Sequence, residues 1–293
     1  MKRYLILLTA VIFMATGSGV RADSSFSLGL VSSFDDVPIS YATYATGGPA
    51  ALVFVHGWSC DSRYWRRQTP FFSKQYRVIT LDLAGHGLSG LNRRHYAMAS
   101  FARDVKAVVD TLKEKRVILV GHSMGGAVIA EAARLMPERV IGLIGVDTLQ
   151  NIAAPMTSEA LKQMIASFKA DFKGRMQTFV SEMFVPGSSP SLKTWIVNDM
   201  SAAPERVAID ALNAYLEQYV NAAAANVFKG IAVPVVCVNA DLWPTDVESN
   251  RRYIQRFEVL VLKGAGHFLM LAQADRFNPL LERAIQMVLS ADR

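Results

Sequence analysis

The chain has 293 residues and a formal net charge of +6, and its composition is 51% hydrophobic and 19% charged. Such a composition supports a packed core and excludes an intrinsically disordered chain, and the length suits one large domain or one domain with an insertion. The basic residues are dispersed and form no long Lys/Arg run, so the sequence predicts no nucleic-acid partner.

Residues 1–22 have the organisation of a secretory signal peptide. Lys2 and Arg3 form a basic start, an apolar run follows over 4–15, and small residues flank Arg21 where a signal peptidase reads the chain. The alternative is a membrane anchor, but the run is shorter than the roughly 20 residues that a spanning helix needs. We therefore predict cleavage before Asp23, no stable membrane span in the mature chain, and export to the periplasm or the outside of the cell.

The chain has two cysteines and five histidines, which are the residue types that could form a disulfide or bind a metal. Cys60 follows one predicted strand and Cys237 lies inside another, so we expect no bridge between them. The histidines show no metal-ligand spacing, and no dinucleotide fingerprint is present. The sequence therefore predicts neither a metal nor a cofactor.

Six short runs rich in Val, Ile and Leu alternate with helical patterns along the chain. They show little polar alternation, as expected of parallel strands that are covered on both faces. Residues 26–34 and 38–45 could add a hairpin at the sheet edge. The pattern predicts an α/β fold with a doubly wound, mostly parallel sheet of eight strands. The six runs span residues 51–57, 76–87, 115–123, 139–148, 233–241 and 257–267.

Helical patterns fill most of the gaps between these runs. One apolar face is formed by Phe101, Val105, Val108, Val109 and Leu112. A second helix is predicted over 127–135, directly after a serine, and a terminal amphipathic helix over 274–289.

Residues 150–228 interrupt the strand–helix alternation. They contain helical segments with scattered methionines and phenylalanines, and no convincing strand. We interpret them as a helical cap inserted into a core domain made of residues 23–149 and 229–293. The underside of such a cap would form an adaptable apolar pocket.

Polar residues follow the predicted strands at the points where the strands end. Because ligands of open α/β sheets bind at the carboxyl ends of the strands, these residues are the candidates for a site. In chain order they are His56-Gly57-Trp58, Asp82, Gly85-His86-Gly87, Ser123, Asp147, Asp241 and His267.

The sequence "LVGHSMGG" (119–126) places Ser123 between Gly121 and Gly125 at the end of an apolar run. This spacing is typical of a nucleophile on a strained strand-to-helix turn, where glycines let the backbone pass closely. The backbone N–H of Met124 would face a developing oxyanion at the start of the next helix, and the N–H of Trp58 is the best second donor. We interpret His122 as a packing residue of this turn, and His56 and His86 as residues that order the surrounding loops.

The segments "VFVHGW", "LDLAGHGLSG", "VGHSMGG" and "GAGHFLML" resemble the α/β-hydrolase fold family over nearly all of the chain after residue 22. The resemblance implies that Ser123 is the nucleophile and His267 its base. Because the family's dehalogenases and epoxide hydrolases carry an aspartate at the elbow, Ser123 favours acyl transfer to water through an acyl-enzyme. The implied substrate is a small apolar ester or lactone, cleaved by a carboxylesterase-like enzyme.

Two other functions remain open for such a chain. One is hydrolysis of a carbon–carbon bond in a β-diketone-type substrate, which members of the family with a lid can catalyse. The other is a catalytically idle, ligand-binding member of the fold. The sequence does not indicate the oligomeric state.

The acid of the implied triad departs from the usual family pattern. Members commonly carry it just after the seventh strand, but alignment from Pro234 puts Trp243 in that position, with Asp241 two residues early and Asp246 three residues late. Some members place the acid after the sixth strand instead, 24 residues beyond the nucleophile, and Asp147 has this spacing from Ser123. We favour Asp147, with Asp241 as the alternative and Asp246 less favoured than either.

Overall fold

A computed structural model describes residues 26–45 and 47–292, and it contains a mixed sheet of eight strands. The predicted signal peptide and its cleavage site before Asp23 lie outside the described residues. The strand order is β1-β2-β4-β3-β5-β6-β7-β8. The strands are β1 Ser27–Ser32, β2 Pro38–Tyr44, β3 Ala51–Val55, β4 Arg77–Leu81, β5 Val117–His122, β6 Val140–Val146, β7 Val235–Ala240 and β8 Phe257–Leu262.

The sheet is parallel from β4 to β8, while β2 runs antiparallel to both β1 and β4. Every residue of β3, β5, β6 and β7 is buried, which explains the lack of polar alternation in their sequences. The predicted eight-stranded, mostly parallel sheet and its edge hairpin are thus confirmed.

Helices flank this sheet and close its core. A 3₁₀ turn, Ser62–Trp65, precedes the first helix, and no helix in the described ranges is long and apolar enough to cross a bilayer. The helices are α1 Thr69–Phe72, α2 Met98–Thr111, α3 Met124–Leu135, α4 Ser158–Ala170, α5 Phe172–Ser181, α6 Pro190–Ser201, α7 Glu205–Val220, α8 Ala223–Asn226, α9 Val247–Arg251, α10 Leu269–Ala272 and α11 Ala274–Ala291.

Five consecutive helices, α4 to α8, occupy the connection between β6 and β7. They fall within residues 150–228, the segment that the sequence marks as an inserted cap. Phe168, Met176 and Val180 are buried there, and they belong to the same apolar cluster as the residues of the sheet. The insertion is therefore packed onto the core rather than held away from it.

A buried ion pair fastens the edge hairpin to α2. The Arg93 guanidinium lies 2.6 Å from Asp104 and 2.8 Å from Asp35, and the side chains of Arg93 and Asp104 are both shielded from solvent. Asp104 also accepts a hydrogen bond from Ser33 in the hairpin. The charges are thus fully partnered, which is the condition under which a buried pair is tolerated.

We predict that Asp104→Ala lowers the free energy of unfolding by about 3–5 kcal/mol, because it leaves the Arg93 cation buried without its nearest partner. Urea denaturation measures this change. Asp110→Ala on the same helix is the control: Asp110 is 40% exposed and also lies in ion pairs, so its loss should cost about 0–1 kcal/mol. Equal losses for the two variants would contradict the prediction.

Candidate active site

Ser123 forms the turn between β5 and α3. Its backbone has φ 53° and ψ −120°, a combination that residues with a side chain rarely adopt and that costs on the order of 1–3 kcal/mol. The Ser123 N–H donates to the Val146 carbonyl, at 3.0 Å, which ties the turn to the end of β6. The serine is therefore held on a strained turn at the carboxyl edge of the sheet.

The two glycines around Ser123 are required by backbone contacts on either side of the turn. A Cβ on Gly125 would lie 2.7 Å from the His56 carbonyl oxygen and 2.8 Å from that of Val55. A Cβ on Gly121 would collide with the Gly125 carbonyl. The start of α3 thus lies directly against the end of β3, as the Gly-x-Ser-x-Gly spacing predicts.

His267 and Asp147 form the closest polar contact at this edge. The Nδ1 of His267 and the Oδ2 of Asp147 are 2.5 Å apart, and both side chains are buried. The other carboxylate oxygen of Asp147 accepts a hydrogen bond from the Ala240 N–H at 2.8 Å. Because Nδ1 faces a carboxylate, it carries the proton, and Nε2 of His267 is left as the basic nitrogen.

Asp241 and Asp246, the alternative acids, have other partners. One oxygen of the exposed Asp241 accepts from the N–H groups of Gly264, at 2.7 Å, and Ala265, at 3.2 Å. These two bonds lower the pKa of Asp241. Asp246 caps α9 by accepting from the Ser249 N–H. Asp241 thus anchors the loop that leads to His267, while within the described ranges the histidine ring bonds to Asp147.

The backbone of His267 is held from two sides. Its N–H donates to the Met183 carbonyl in the α5–α6 connection at 2.9 Å. Its own carbonyl accepts from Nε2 of His122 at 3.0 Å. Burial lowers the pKa of His122 well below its usual value, so His122 is a neutral donor at physiological pH. His122 therefore positions His267, a more specific role than loop packing.

Trp243 is a neighbour of the site that the sequence did not identify as one. Its ring lies edge-on to the His267 ring, with centroids 5.2 Å apart, and the His122 ring lies on another side at 4.6 Å. In the sequence, Trp243 occupies the position where family members commonly carry the triad acid. This departure from the family pattern was the only sequence feature that pointed to Trp243. Met183 gave no signal at all, since its contact uses a backbone carbonyl.

The Gly57–Trp58 loop passes beside Ser123. A Cβ on Gly57 would lie 3.1 Å from the Ser123 Cβ and 2.8 Å from Nδ1 of His122. Within residues 26–45 and 47–292, the N–H groups of Trp58 and Met124 donate to no protein acceptor. These two donors, on either side of the serine, are the ones that the sequence predicts for an oxyanion.

The indole of Trp58 joins this loop to the inserted helices. Its Nε1 donates to the Ala208 carbonyl in α7 at 2.7 Å. The ring also makes edge-on contacts with Phe168 and Phe179, at centroid distances of 5.4 and 5.9 Å. The side chain thus packs against the inserted helices α4, α5 and α7, and its backbone remains beside Ser123.

His56 and His86 order the same region, as the sequence predicts. Nδ1 of His56 donates to the Gly57 carbonyl at 2.8 Å, and its Nε2 accepts from the Leu83 N–H at 3.0 Å. Burial lowers the pKa of His86 to about 3, so its ring is neutral at physiological pH. Both histidines thus hold loop backbone in place, His56 through Gly57 and Leu83 and His86 through the Ala84 carbonyl.

The model of the alpha/beta hydrolase family matches residues 52–280, which include Ser123, Asp147 and His267. The chain belongs to the alpha/beta hydrolase family. The resemblance drawn from the sequence motifs is therefore confirmed.

Two relatives of this hydrolase-family chain each align over more than three quarters of its length. It is 27% identical over 246 residues to the AB hydrolase superfamily protein YisY of Bacillus subtilis, covering 78% of this chain and 89% of that protein. It is 24% identical over 261 residues to 3-oxoadipate enol-lactonase 2 of Acinetobacter baylyi, covering 86% of this chain and 94% of the relative.

A solved structure supports the same family fold. The esterase EaEST from Exiguobacterium antarcticum superposes with a TM-score of 0.77 and 20% identity, covering 88% of this chain and 98% of the esterase. At this identity the likeness concerns the fold alone.

We predict that Gly57→Ala lowers kcat by about 10²-fold, because its Cβ would push the Gly57–Trp58 loop away from Ser123. Steady-state kinetics on an ester measure the effect, and circular dichroism verifies the fold. Gly47→Ala is the matched control, since nothing lies within 4 Å of a Cβ there. A Gly57→Ala enzyme with the activity of the control would show that the loop does not need this close contact.

Proposed function

We propose that the protein is a serine hydrolase that cleaves a small apolar ester or lactone through an acyl-enzyme on Ser123. The observation that carries the proposal is the 2.5 Å hydrogen bond between His267 and Asp147 at the edge where Ser123 sits on its strained turn. A nucleophile, a base and a group that orients the base are the parts that such chemistry needs.

In the proposed first half-reaction, the Ser123 Oγ attacks the carbonyl carbon of the substrate, and Nε2 of His267 takes the hydroxyl proton. The carbonyl oxygen becomes an oxyanion that accepts hydrogen bonds from the N–H groups of Trp58 and Met124. Each such donor accounts for about 10²–10³-fold in rate in comparable sites. His267 then returns the proton to the departing alkoxide oxygen as the ester C–O bond breaks.

In the second half-reaction, water attacks the acyl-enzyme, and His267 takes a proton from that water. The new tetrahedral oxyanion uses the same two N–H donors. Collapse expels Ser123, which recovers its proton from His267, and the carboxylic acid leaves. The Asp147 carboxylate stabilises the imidazolium each time it forms.

Support for an ester or lactone substrate comes from the relatives and from the cap. A lactonase is among the relatives that align over most of this chain. The inserted segment carries buried Phe168 in α4 and buried Met183 in the α5–α6 connection, and it packs on Trp58 through aromatic rings. Such surfaces favour apolar acyl groups over charged ones, so we propose that residues 150–228 act as a cap that selects the substrate.

We expect the purified protein to hydrolyse aryl esters of short and medium chain length, and we expect a fluorophosphonate probe to label Ser123. Ser123→Ala should abolish labelling and lower kcat by a factor on the order of 10⁶. Mass spectrometry of the labelled protein and an ester and lactone panel measure these outcomes. A catalytically idle binding protein would leave Ser123 unlabelled, and wild-type turnover in Ser123→Ala would exclude it as the nucleophile.

The two candidate acids give a second, independent test. Asp147→Asn should lower kcat by up to about 10⁴-fold, because the amide cannot hold the His267 tautomer or stabilise the imidazolium. Asp241→Asn should cost little, because the amide oxygen can still accept from Gly264 and Ala265. The reverse pattern in two folded variants would assign the acid to Asp241.

We also propose that the enzyme is exported and that residues 1–22 are removed. Support comes from the basic start and apolar run of the first 15 residues. Intact-mass measurement on protein from its native source should find Asp23 at the N-terminus. A cytosolic protein that retains Met1 would refute this proposal.

A further inference from the structure

The outer strand of the sheet presents apolar side chains to solvent. Phe26, Leu28 and Leu30 are 56%, 65% and 67% exposed. Because alternate residues of a strand point to the same face, these three side chains form one apolar row along β1. Within the described ranges β1 pairs only with β2, so this row borders the open edge of the sheet.

This apolar row is continuous with a cavity at the border of core and cap. The Phe26 ring contacts the Tyr44 ring on the neighbouring strand, with centroids 5.3 Å apart. Tyr44 in turn lines a cavity of about 450 Å³. The other lining residues are Ser62, Arg63, Arg66, Thr69 and Trp195.

The chain segment beside this cavity, residues 62–81, carries charged side chains of positive sign only. Residues 62–81 contain five basic residues and no acidic residue. Arg66 also lines a second, adjoining cavity with Arg67, Phe71 and Lys74, so the cationic surface extends from the first cavity to α1. Phe71 is also exposed. An aromatic side chain therefore lies beside the cations of this second cavity, as Tyr44 does beside those of the first.

The carboxylates near this surface neutralise only part of it. Arg63 is paired with Asp61 at 2.6 Å and Asp199 at 2.5 Å, and Arg67 lies 3.6 Å from Asp275. The Arg66 guanidinium instead lies over the Trp195 ring, 4.1 Å from its centroid, and donates to the Arg63 carbonyl. Arg66 and Lys74 have no carboxylate partner within the described ranges, so this face keeps net positive charge.

We propose that this face, formed by the apolar row of β1 and the cations of residues 62–75, docks the protein on an anionic lipid bilayer. Leucine and phenylalanine side chains enter the boundary between headgroups and acyl chains, while arginine and lysine bind lipid phosphates. Both kinds of group are present on one continuous surface. The proposal concerns peripheral binding and is independent of the reaction proposed for Ser123.

Charge complementarity favours a bilayer over a second copy of the chain on this face. A two-fold contact places the same surface patch on both subunits. It would therefore bring Arg66, Arg67 and Lys74 towards their own counterparts, whereas lipid phosphates carry the opposite charge.

Vesicle sedimentation of the full protein tests the proposal. Vesicles of phosphatidylcholine alone are compared with vesicles of equal parts phosphatidylcholine and phosphatidylglycerol, at low and high salt. We expect binding to the anionic vesicles only, and release by salt, because the exposed cations are screened. Absence of binding to anionic vesicles would overturn the proposal.

Two variants and two matched controls then locate the surface. Leu28→Ser with Leu30→Ser, and Arg66→Gln with Arg67→Gln and Lys74→Gln, should each lower the partition coefficient by about tenfold or more. The apolar control is Val261→Ser on β8, the other edge strand, where Val261 is 46% exposed. The charge control neutralises Arg134, Lys229 and Arg252, which line cavities near the start of β7.

The controls should bind as the wild type does, and all variants should keep their melting temperature and their hydrolysis of a soluble ester. Since any leader residues are the same in every variant, binding that persists unchanged in both surface variants would overturn the proposal. Light scattering measures the oligomeric state of the wild type and of the Leu28/Leu30 variant. A dimer that dissociates in the Leu28/Leu30 variant would make this face an interface between copies and would also overturn docking on lipid.

Discussion

The hydrogen bond between His267 and Asp147 depends on the order of three neighbouring strands. Asp147 follows β6 and His267 follows β8, with β7 between them. The Asp147 carboxylate spans this gap, since one oxygen meets His267 and the other accepts from Ala240 at the end of β7. A shift of one residue in any of these parallel strands would turn the carboxylate away, so the core packing that fixes their register also fixes the site.

Around this hydrogen bond, most of the positioning comes from contacts to backbone groups. The His267 main chain is held by Met183 and by His122, and the Gly57–Trp58 loop is held by His56 through Gly57. Because backbone carbonyls cannot change rotamer, such contacts hold His267 and the Gly57–Trp58 loop more rigidly than contacts between surface side chains would. The strain at Ser123 is retained because this surrounding structure determines the turn.

Much of the fold could be predicted from the sequence, because buried parallel strands leave continuous apolar runs and the serine turn leaves its glycines. Asp147 was favoured because its spacing from Ser123 matches that of family members with the acid after the sixth strand, and the structure places it against His267. Its catalytic role stays a prediction. The start of α3 was predicted at Ala127 but lies at Met124, because Gly125 and Gly126 are helical where α3 packs closely. Trp243, Met183 and the anchoring role of Asp241 involve contacts between distant segments, which no local pattern encodes.

The hydrogen bond from the His267 N–H to the Met183 carbonyl limits how the inserted segment between β6 and β7 can vary in sequence and length. The residues between α5 and α6 supply part of the support of the histidine, and a Cβ on Gly266 would lie only 2.7 Å from the same carbonyl. The inserted segment is therefore not an interchangeable module. A replacement segment would have to present a carbonyl at this point, so the length of the α5–α6 connection is constrained.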